Sequence, residues 1–279
     1  ARRGRSIVET ELLKARLGRA FIVHRREENL SEARTGVTAH GLALSDAFLD
    51  RMIRAYQAAG ADERAAGISM WSDFLERNLE VHRALAAGDR RVVASVYADP
   101  VDTDVFYGFD EMTADYLKVS TEHPEYAQWW ATWTYDNLLR LAEAIGVVPL
   151  DYPESYHAFP PKAGPSPDAI LEQLDNYFGT RVEPSTPYPR MVGLKTCRGV
   201  FTYRTIQAIY QAWKIKEILE QYGGSKVLEI GAGLGRTAYY AREFGVGDYT
   251  VVDLPFTNVS QAHFLGLMLG EDRVSLYRE

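Results

Sequence analysis

Three glycines and an aspartate near the carboxyl end of the chain have the spacing of a nucleoside-binding site. Gly231, Gly233 and Gly235 stand at every second position behind the mostly apolar run Val-Leu-Glu-Ile. Glycine at such positions lets the backbone turn tightly and approach a ligand without an intervening Cβ. Asp253 follows 22 residues after Gly231, where a carboxylate can accept both hydroxyls of a ribose. Together these residues predict a site for a ligand that contains a nucleoside.

Two kinds of ligand compete for such a loop, and the spacing of the glycines separates them. The dinucleotide fingerprint G-x-G-x-x-G needs a third glycine for close helix packing, and Arg236 occupies that position. The other pattern is acidic-x-G-x-G-x-G, which the chain matches from Glu229 to Gly235. That pattern resembles the cofactor loop of class I S-adenosylmethionine-dependent methyltransferases. A third interpretation, a flexible turn that holds no ligand, is disfavoured by the strands and the acidic residue around the loop.

The residues around the loop predict the elements that must position it. "KVLEIG" is predicted to be a short buried strand, "RTAYYAREFG" a helix, "YTVVDLP" a second strand, "SQAHFLGLMLG" a second helix and "RVSLY" a third strand. This alternation is typical of an α/β, Rossmann-like parallel sheet, which binds ligands at the carboxyl ends of its strands. Because the sheet begins at residue 226, the sequence predicts that this chain holds only its first strands and that the domain is incomplete.

The likeness to methyltransferases extends beyond the loop. "VLEIGAGLGRTAYYA", "YTVVDLP" and "SQAHFLGLML", with the upstream helix "FTYRTIQAIYQAWKIKEIL", resemble the sugar O-methyltransferase family of natural-product and polysaccharide gene clusters. The resemblance covers about residues 195–279 and implies S-adenosyl-L-methionine as the cofactor. It places these residues at the cofactor: Glu229, near its ammonium end, Gly231, Ala232, Gly233, Gly235, Arg236, Asp253 and Leu254.

The helix before the first strand supplies two further candidates. Tyr203 and Arg204 open this helix, which covers the cofactor in related folds, and a guanidinium there can meet a carboxylate with two hydrogen bonds. An exposed helix arginine with no ligand is the competing interpretation. The family's catalytic base and any divalent-metal ligands are expected on later strands, so the catalytic residues stay unidentified.

Other residues with useful chemistry lie outside the loop. The six histidines lack a spacing such as H-x-x-x-H, so no metal site is visible in the sequence, although a divalent metal is compatible with the chemistry. His157 lies in a proline-rich loop and His263 on the helix after the second strand, and for both a structural role is preferred to a catalytic one. Trp129 and Trp133 share a helix face, which favours core packing over stacking on an acceptor.

The first half of the chain is predicted to be mostly helical. "LSDAFLDRMIRAYQAA" has Ser45 as its N-cap, "SMWSDFLERNLEVHRALAAG" is predicted to be one helix that stops at Gly88, and "PEYAQWWATWTYDNLLRLAEAIG" runs from Pro124 to Gly146. The sequence therefore predicts a helical auxiliary domain at 1–148, a proline-rich connection or lid at 149–194, and the start of the cofactor domain at 195–279.

Composition excludes several classes of partner. The net charge of −7 argues against nonspecific nucleic-acid binding, and no apolar run approaches the ~18 residues of a membrane span. A single cysteine, Cys197, indicates a reducing compartment, and the expected location is cytoplasmic.

These patterns favour an S-adenosylmethionine-dependent O-methyltransferase that acts on a hydroxyl of a sugar or polyketide-like natural product. Its expected partners are that small-molecule acceptor, together with a second copy of the chain or neighbouring synthase domains. Two alternatives stay open: a noncatalytic docking module with a degenerate half-fold, and an NAD-type oxidoreductase, which Arg236 disfavours.

Overall fold

The computed structural model describes residues 32–60, 71–110, 113–149 and 164–279. In this part of the chain the protein is mixed α/β, mostly helical, with two small sheets. It divides into two compact units. The described residues of the first unit are 32–38, 118–149, 164–186 and 192–210, and those of the second are 39–60, 71–110, 113–117, 187–191 and 211–279.

The elements of the described residues have the following bounds. The helices are α1 (Asp46–Ala58), α2 (Ser72–Arg77), α3 (Leu79–Ala87), α4 (Arg90–Ala98), α5 (Ala114–Glu122), α6 (Pro124–Ile145), α7 (Pro167–Phe178), α8 (Tyr203–Tyr222), α9 (Arg236–Glu243) and α10 (Pro255–Leu269). The strands are β1 (Thr35–Val37), β2 (Val192–Thr196), β3 (Gly199–Phe201), β4 (Lys226–Ile230) and β5 (Asp248–Val252). Single 3₁₀ turns occupy Pro100–Asp102 and Glu271–Arg273.

In the first unit, a small antiparallel sheet packs against the long helix α6. Its strand order is β1-β2-β3, and β2 and β3 form a hairpin in which Leu194 pairs with Phe201. Gly193 faces Gly36 across the sheet, and a side chain at Gly193 would collide with the carbonyl of Phe201. This sheet was not expected from the sequence, because its strands span only three to five residues each.

In the second unit, α1 packs its apolar face against α10. Ser45 caps α1 by accepting a hydrogen bond from the N–H of Phe48, and the apolar residues Phe48, Met52, Ile53 and Tyr56 of this helix are buried. Gly266 lies in this contact, because an added Cβ there would lie 2.7 Å from the ring of Phe48. The predicted helix and its N-cap are confirmed, and so is the helix that contains Gly266.

Two predicted helix ends in the first half are confirmed, and one predicted helix is divided. Gly88 ends α3 and Gly146 ends α6, both in the left-handed conformation that favours glycine. The predicted single helix before Gly88 is interrupted at Asn78. The buried Asn78 amide donates to the carbonyls of Phe74 at 2.9 Å and Asp104 at 2.8 Å, so the side chain competes with the regular helical ladder.

β4 and β5 form a parallel pair whose outer face is exposed. Ile230 pairs with Val252 at the carboxyl ends of the two strands. The side chains of Leu228 and Ile230 are 64% and 78% exposed, so the prediction of a buried strand is wrong for this face. Burial of both faces requires layers on both sides of a parallel sheet, and the described residues cover only one.

The predicted third strand, "RVSLY", is also wrong, because the described chain forms a 3₁₀ turn and irregular structure there. The guanidinium of Arg51 donates to the carbonyls of Glu271 and Val274 and to the carboxylate of Glu279. These bonds occupy backbone acceptors that a strand would offer to its neighbour. The segment is therefore held to α1 by a side chain instead of joining a sheet.

The division into units differs from the boundaries expected at 148 and 194, because helices of the first half belong to both units. The second unit includes α1 with α9 and α10, so the glycine loop shares a unit with part of the predicted auxiliary domain. Most of the proline-rich segment, with His157, lies outside the described residues, as do residues 1–31. No helix in the described ranges combines the length and apolar character that a membrane crossing requires.

Candidate functional site

The glycine loop turns immediately after β4, at the carboxyl end of the parallel pair. Gly231, Gly233 and Gly235 have φ angles of 76°, 57° and 90°, in the left-handed region where a side chain introduces strain. The N–H of Gly231 donates to the carbonyl of Val252 at 3.0 Å, and the N–H of Gly235 donates to the carbonyl of Ala232 at 3.0 Å. The three glycines are therefore required by the path of the backbone.

Asp253 lies beside this loop, one residue past β5. Because β4 and β5 are parallel and in register, the carboxyl ends of both strands lie at the same edge of the sheet. Oδ1 of Asp253 accepts from the N–H of Leu254 at 2.8 Å, and Oδ2 accepts from the amide of Gln261 at 2.7 Å. The structure brings the glycine loop and Asp253 together, as a site at this edge requires.

Gln261 is a site residue that the sequence analysis missed. It is buried in α10, and its Nε2 donates to the carbonyl of Gly233 at 2.8 Å as well as to Asp253. No distinctive signal in the sequence indicated it, because the same helix also carries Asn258, Ser260 and His263 close to Gln261. Its amide connects the loop to the aspartate.

Glu229 is half-buried on β4 and accepts a hydrogen bond from the hydroxyl of Tyr249 at 2.8 Å. Burial raises the pKa of Glu229, the hydrogen bond from Tyr249 lowers it, and the negative charge of Asp253 raises it further. The net direction is upward. A cation placed near this carboxylate would stabilise its charged form, which is the property expected of a residue that orients an ammonium group.

Arg236 has a different environment from the other predicted cofactor residues. Its side chain is buried, forms an ion pair with the buried Asp110, and lies over the ring of Phe264 with 5.6 Å between guanidinium carbon and ring centre. The guanidinium is thus directed into the second unit. The part of Arg236 that remains for a ligand is its backbone, which begins α9 directly after Gly235.

The three glycines differ in how much space surrounds them. An added Cβ at Gly233 would lie 3.4 Å from the carbonyl of Phe109, and one at Gly235 would lie 3.4 Å from Leu265. At Gly231 an added Cβ would meet no atom of the described chain within 4 Å. The loop is therefore supported from behind at two glycines and open at the first, which fits a cofactor lying against its backbone.

Leu254, Tyr203 and Arg204 complete the predicted set. Leu254 is 39% exposed next to Asp253, where an apolar side chain is available to a ligand. Tyr203 and Arg204 belong to the first unit, where Tyr203 packs against the rings of Trp130 and Trp133, and Arg204 donates to Gln207 at 3.1 Å. Their role at the cofactor stays a prediction.

The tryptophan and histidine candidates pack against other aromatic side chains. Trp129 is buried and stacks on Trp133 with ring centres 5.8 Å apart, which confirms the packing prediction for this pair. His263 is buried between Tyr97 and Tyr188, and its Nδ1 lies 3.2 Å from the hydroxyl of Tyr188. Desolvation lowers the pKa of His263 to about 3, so the imidazole is neutral and its role is structural, as predicted.

Within the described ranges, no group of three or more His, Cys, Asp and Glu side chains is arranged to hold a metal ion. Comparisons with protein-family models, with curated proteins and with solved structures found no match to the chain.

Proposed function

We propose that the protein is an S-adenosylmethionine-dependent O-methyltransferase, or a domain of one within a larger synthase, that acts on a hydroxyl of a sugar or polyketide-like molecule. The observation that supports this most is the juxtaposition of the glycine loop and Asp253 at one edge of a parallel strand pair. When bound, S-adenosylmethionine supplies a methyl group on a sulfonium centre. The class of acceptor derives from the family resemblance.

Different residues of the site would contact different parts of the cofactor. The open backbone at Gly231 lies where the methionine part would rest, and Glu229 would accept from its ammonium group. Asp253 would accept hydrogen bonds from the two ribose hydroxyls, and Leu254 would contact the adenine ring. The base that removes the acceptor's proton is not among the residues that the site identifies.

The exposed face of the strand pair supports the finer fold proposal. Leu228, Ile230 and Val252 present apolar side chains on one face of β4–β5. Parallel sheets are normally covered on both faces, so we propose that β4 and β5 are neighbouring strands of a larger Rossmann-like sheet. The further strands and helices would come from the same polypeptide or from a second one.

Two observations bear on the alternatives. A dinucleotide fold uses a small residue where Arg236 stands, and here that position holds a long side chain paired with Asp110, which favours the methyltransferase proposal over an NAD-type oxidoreductase. The exposed apolar face of β4–β5 also favours the second candidate, a noncatalytic docking module. Cofactor binding separates the two.

Isothermal titration calorimetry with S-adenosylhomocysteine and, separately, with NAD tests the proposal. We expect the wild-type protein to bind S-adenosylhomocysteine but not NAD. Asp253→Ala removes two charge-assisted hydrogen bonds to the ribose and should lower affinity by about tenfold to a thousandfold. Asp248→Ala is the matched control, because Asp248 lies at the opposite end of the same strand and pairs with Lys226.

The control variant should bind as the wild-type protein does. Binding of NAD alone would support the oxidoreductase. If neither ligand binds to folded protein, the docking module becomes the better explanation. Equal affinities of the Asp253→Ala variant and the wild-type protein would remove Asp253 from the site.

A further inference from the structure

The amide of Gln261 has its orientation determined by its two partners. Nε2 donates to the carbonyl of Gly233 at 2.8 Å and to Oδ2 of Asp253 at 2.7 Å. Carbonyl and carboxylate oxygens only accept hydrogen bonds, so the reversed amide would place Oε1 against two acceptors. Both amide hydrogens are therefore used to join the glycine loop to the aspartate.

The hydrogen bonds to Asp253 leave a defined part of its carboxylate available. An ionised carboxylate offers about four acceptor positions on its two oxygens. The N–H of Leu254 occupies one on Oδ1 and Gln261 occupies one on Oδ2. One position remains on each oxygen, and with the carboxylate held from both sides these two positions point in fixed directions. Such an arrangement matches a pair of neighbouring hydroxyls.

We propose that Gln261 is a positioning residue that holds the Asp253 carboxylate in the orientation that selects ligands with an intact ribose diol. This inference rests on the proposed function, because it assumes that a nucleoside binds at Asp253. Without the Gln261 amide, the carboxylate keeps only its bond to Leu254 and turns about its side-chain torsions. The two acceptor positions are then no longer aligned, and the site no longer distinguishes a ribose diol from a single hydroxyl.

The test compares S-adenosylhomocysteine with its 2′-deoxy analogue by calorimetry. The wild-type protein should prefer the ribose form by about tenfold to a hundredfold, since one hydrogen bond to a charged group is lost with the analogue. Gln261→Met preserves the side-chain volume and removes both donors, and its preference should fall below about threefold. In an Asp253→Ala background the same substitution should change affinity little, because coupled residues are not additive.

Asn258→Leu is the matched control. Asn258 lies on the same helix and donates at 3.2 Å to the backbone carbonyl of Asp253, not to its carboxylate. This variant should keep the wild-type preference for ribose. Gln261→Glu, which has the same shape and loses the donors when ionised, replaces the methionine variant if the latter does not give a cooperative melting curve.

The outcomes separate this inference from the proposed function. If the wild-type protein binds neither ligand, the proposed function fails and this inference fails with it. If the wild-type protein binds but the Gln261 variants keep the full preference for ribose, only the positioning role is overturned. An equal loss of affinity for both ligands would show that Gln261 supports the fold of the loop and does not orient Asp253.

Discussion

The hydroxyl of Tyr249 donates to Oε2 of Glu229 at 2.8 Å, across the neighbouring strands β5 and β4. Both side chains are half-buried. The bond stabilises the ionised form of Glu229, but burial acts in the opposite direction and is the larger effect, so the pKa of Glu229 is raised. This carboxyl group therefore links the stability of the fold to pH.

The first prediction concerns Glu229→Gln. A carboxyl whose folded-state pKa is raised contributes stability that is complete below its ordinary pKa of about 4.3 and is lost as pH rises through the folded-state pKa. We expect the unfolding free energy of the wild-type protein, relative to the variant, to decrease as pH rises above about 4.3. Urea unfolding at several pH values measures this difference. Tyr249→Phe should enlarge the decrease, and parallel pH profiles for wild type and Glu229→Gln would contradict the prediction.

The second prediction compares two glycines with the same backbone strain. Gly231 and Gly245 have φ angles of 76° and 93°, and an added Cβ at either position meets no described atom within 4 Å. Substitution by alanine should therefore cost each variant a similar amount of stability, about 1 kcal/mol. Only Gly231→Ala places a methyl group where the cofactor is proposed to lie, and its affinity for S-adenosylhomocysteine should fall by about tenfold or more. Thermal melting and calorimetry check the two parts. Equal binding by both variants would place the ligand elsewhere.

The third prediction concerns the buried ion pair behind the loop. Arg236 and Asp110 both have almost fully buried side chains, so Arg236→Met removes an ion pair between two buried charged groups. We expect a loss of about 3–5 kcal/mol in urea unfolding. Arg242→Met on the same helix is the control, because Arg242 is exposed and its guanidinium donates to the backbone carbonyl of Gly247. Its effect should stay within about 1 kcal/mol. Similar losses for the two variants would show that the buried ion pair contributes no more to the unfolding free energy than the exposed Arg242 does.

The fourth prediction concerns His263 and acid stability. Burial lowers the pKa of His263 to about 3, so the neutral imidazole stabilises the fold above its ordinary pKa of about 6.5. That contribution is lost as pH falls from about 6.5 toward the folded-state value, because the unfolded chain takes up a proton first. His263→Gln should make unfolding less sensitive to pH in this window, which urea titrations at stepped pH will show. An unchanged slope would mean that other groups govern acid unfolding.

Local patterns were sufficient to predict several elements and part of the site. Ser45 as an N-cap and Gly146 as a helix end were correct because caps depend on hydrogen bonds between residues three to five apart. The glycine loop and Asp253 could also be located, because a strand–turn–helix unit places its turn and the end of the next parallel strand at a common edge.

The contacts that surround these elements depend on residues far apart in sequence. Arg236 pairs with Asp110, which is 126 residues away in the sequence. Arg51 binds the segment after α10, where a third strand was expected. Gln261 joins Gly233 to Asp253 because α10 folds back beside the loop. No local pattern encodes such pairings, since they arise only when packed helices exclude water and each buried polar group must find a partner. The sequence by itself thus determined where the chain turns and which residues meet at the strand ends, and only the tertiary structure decided which side chains hold that site in place.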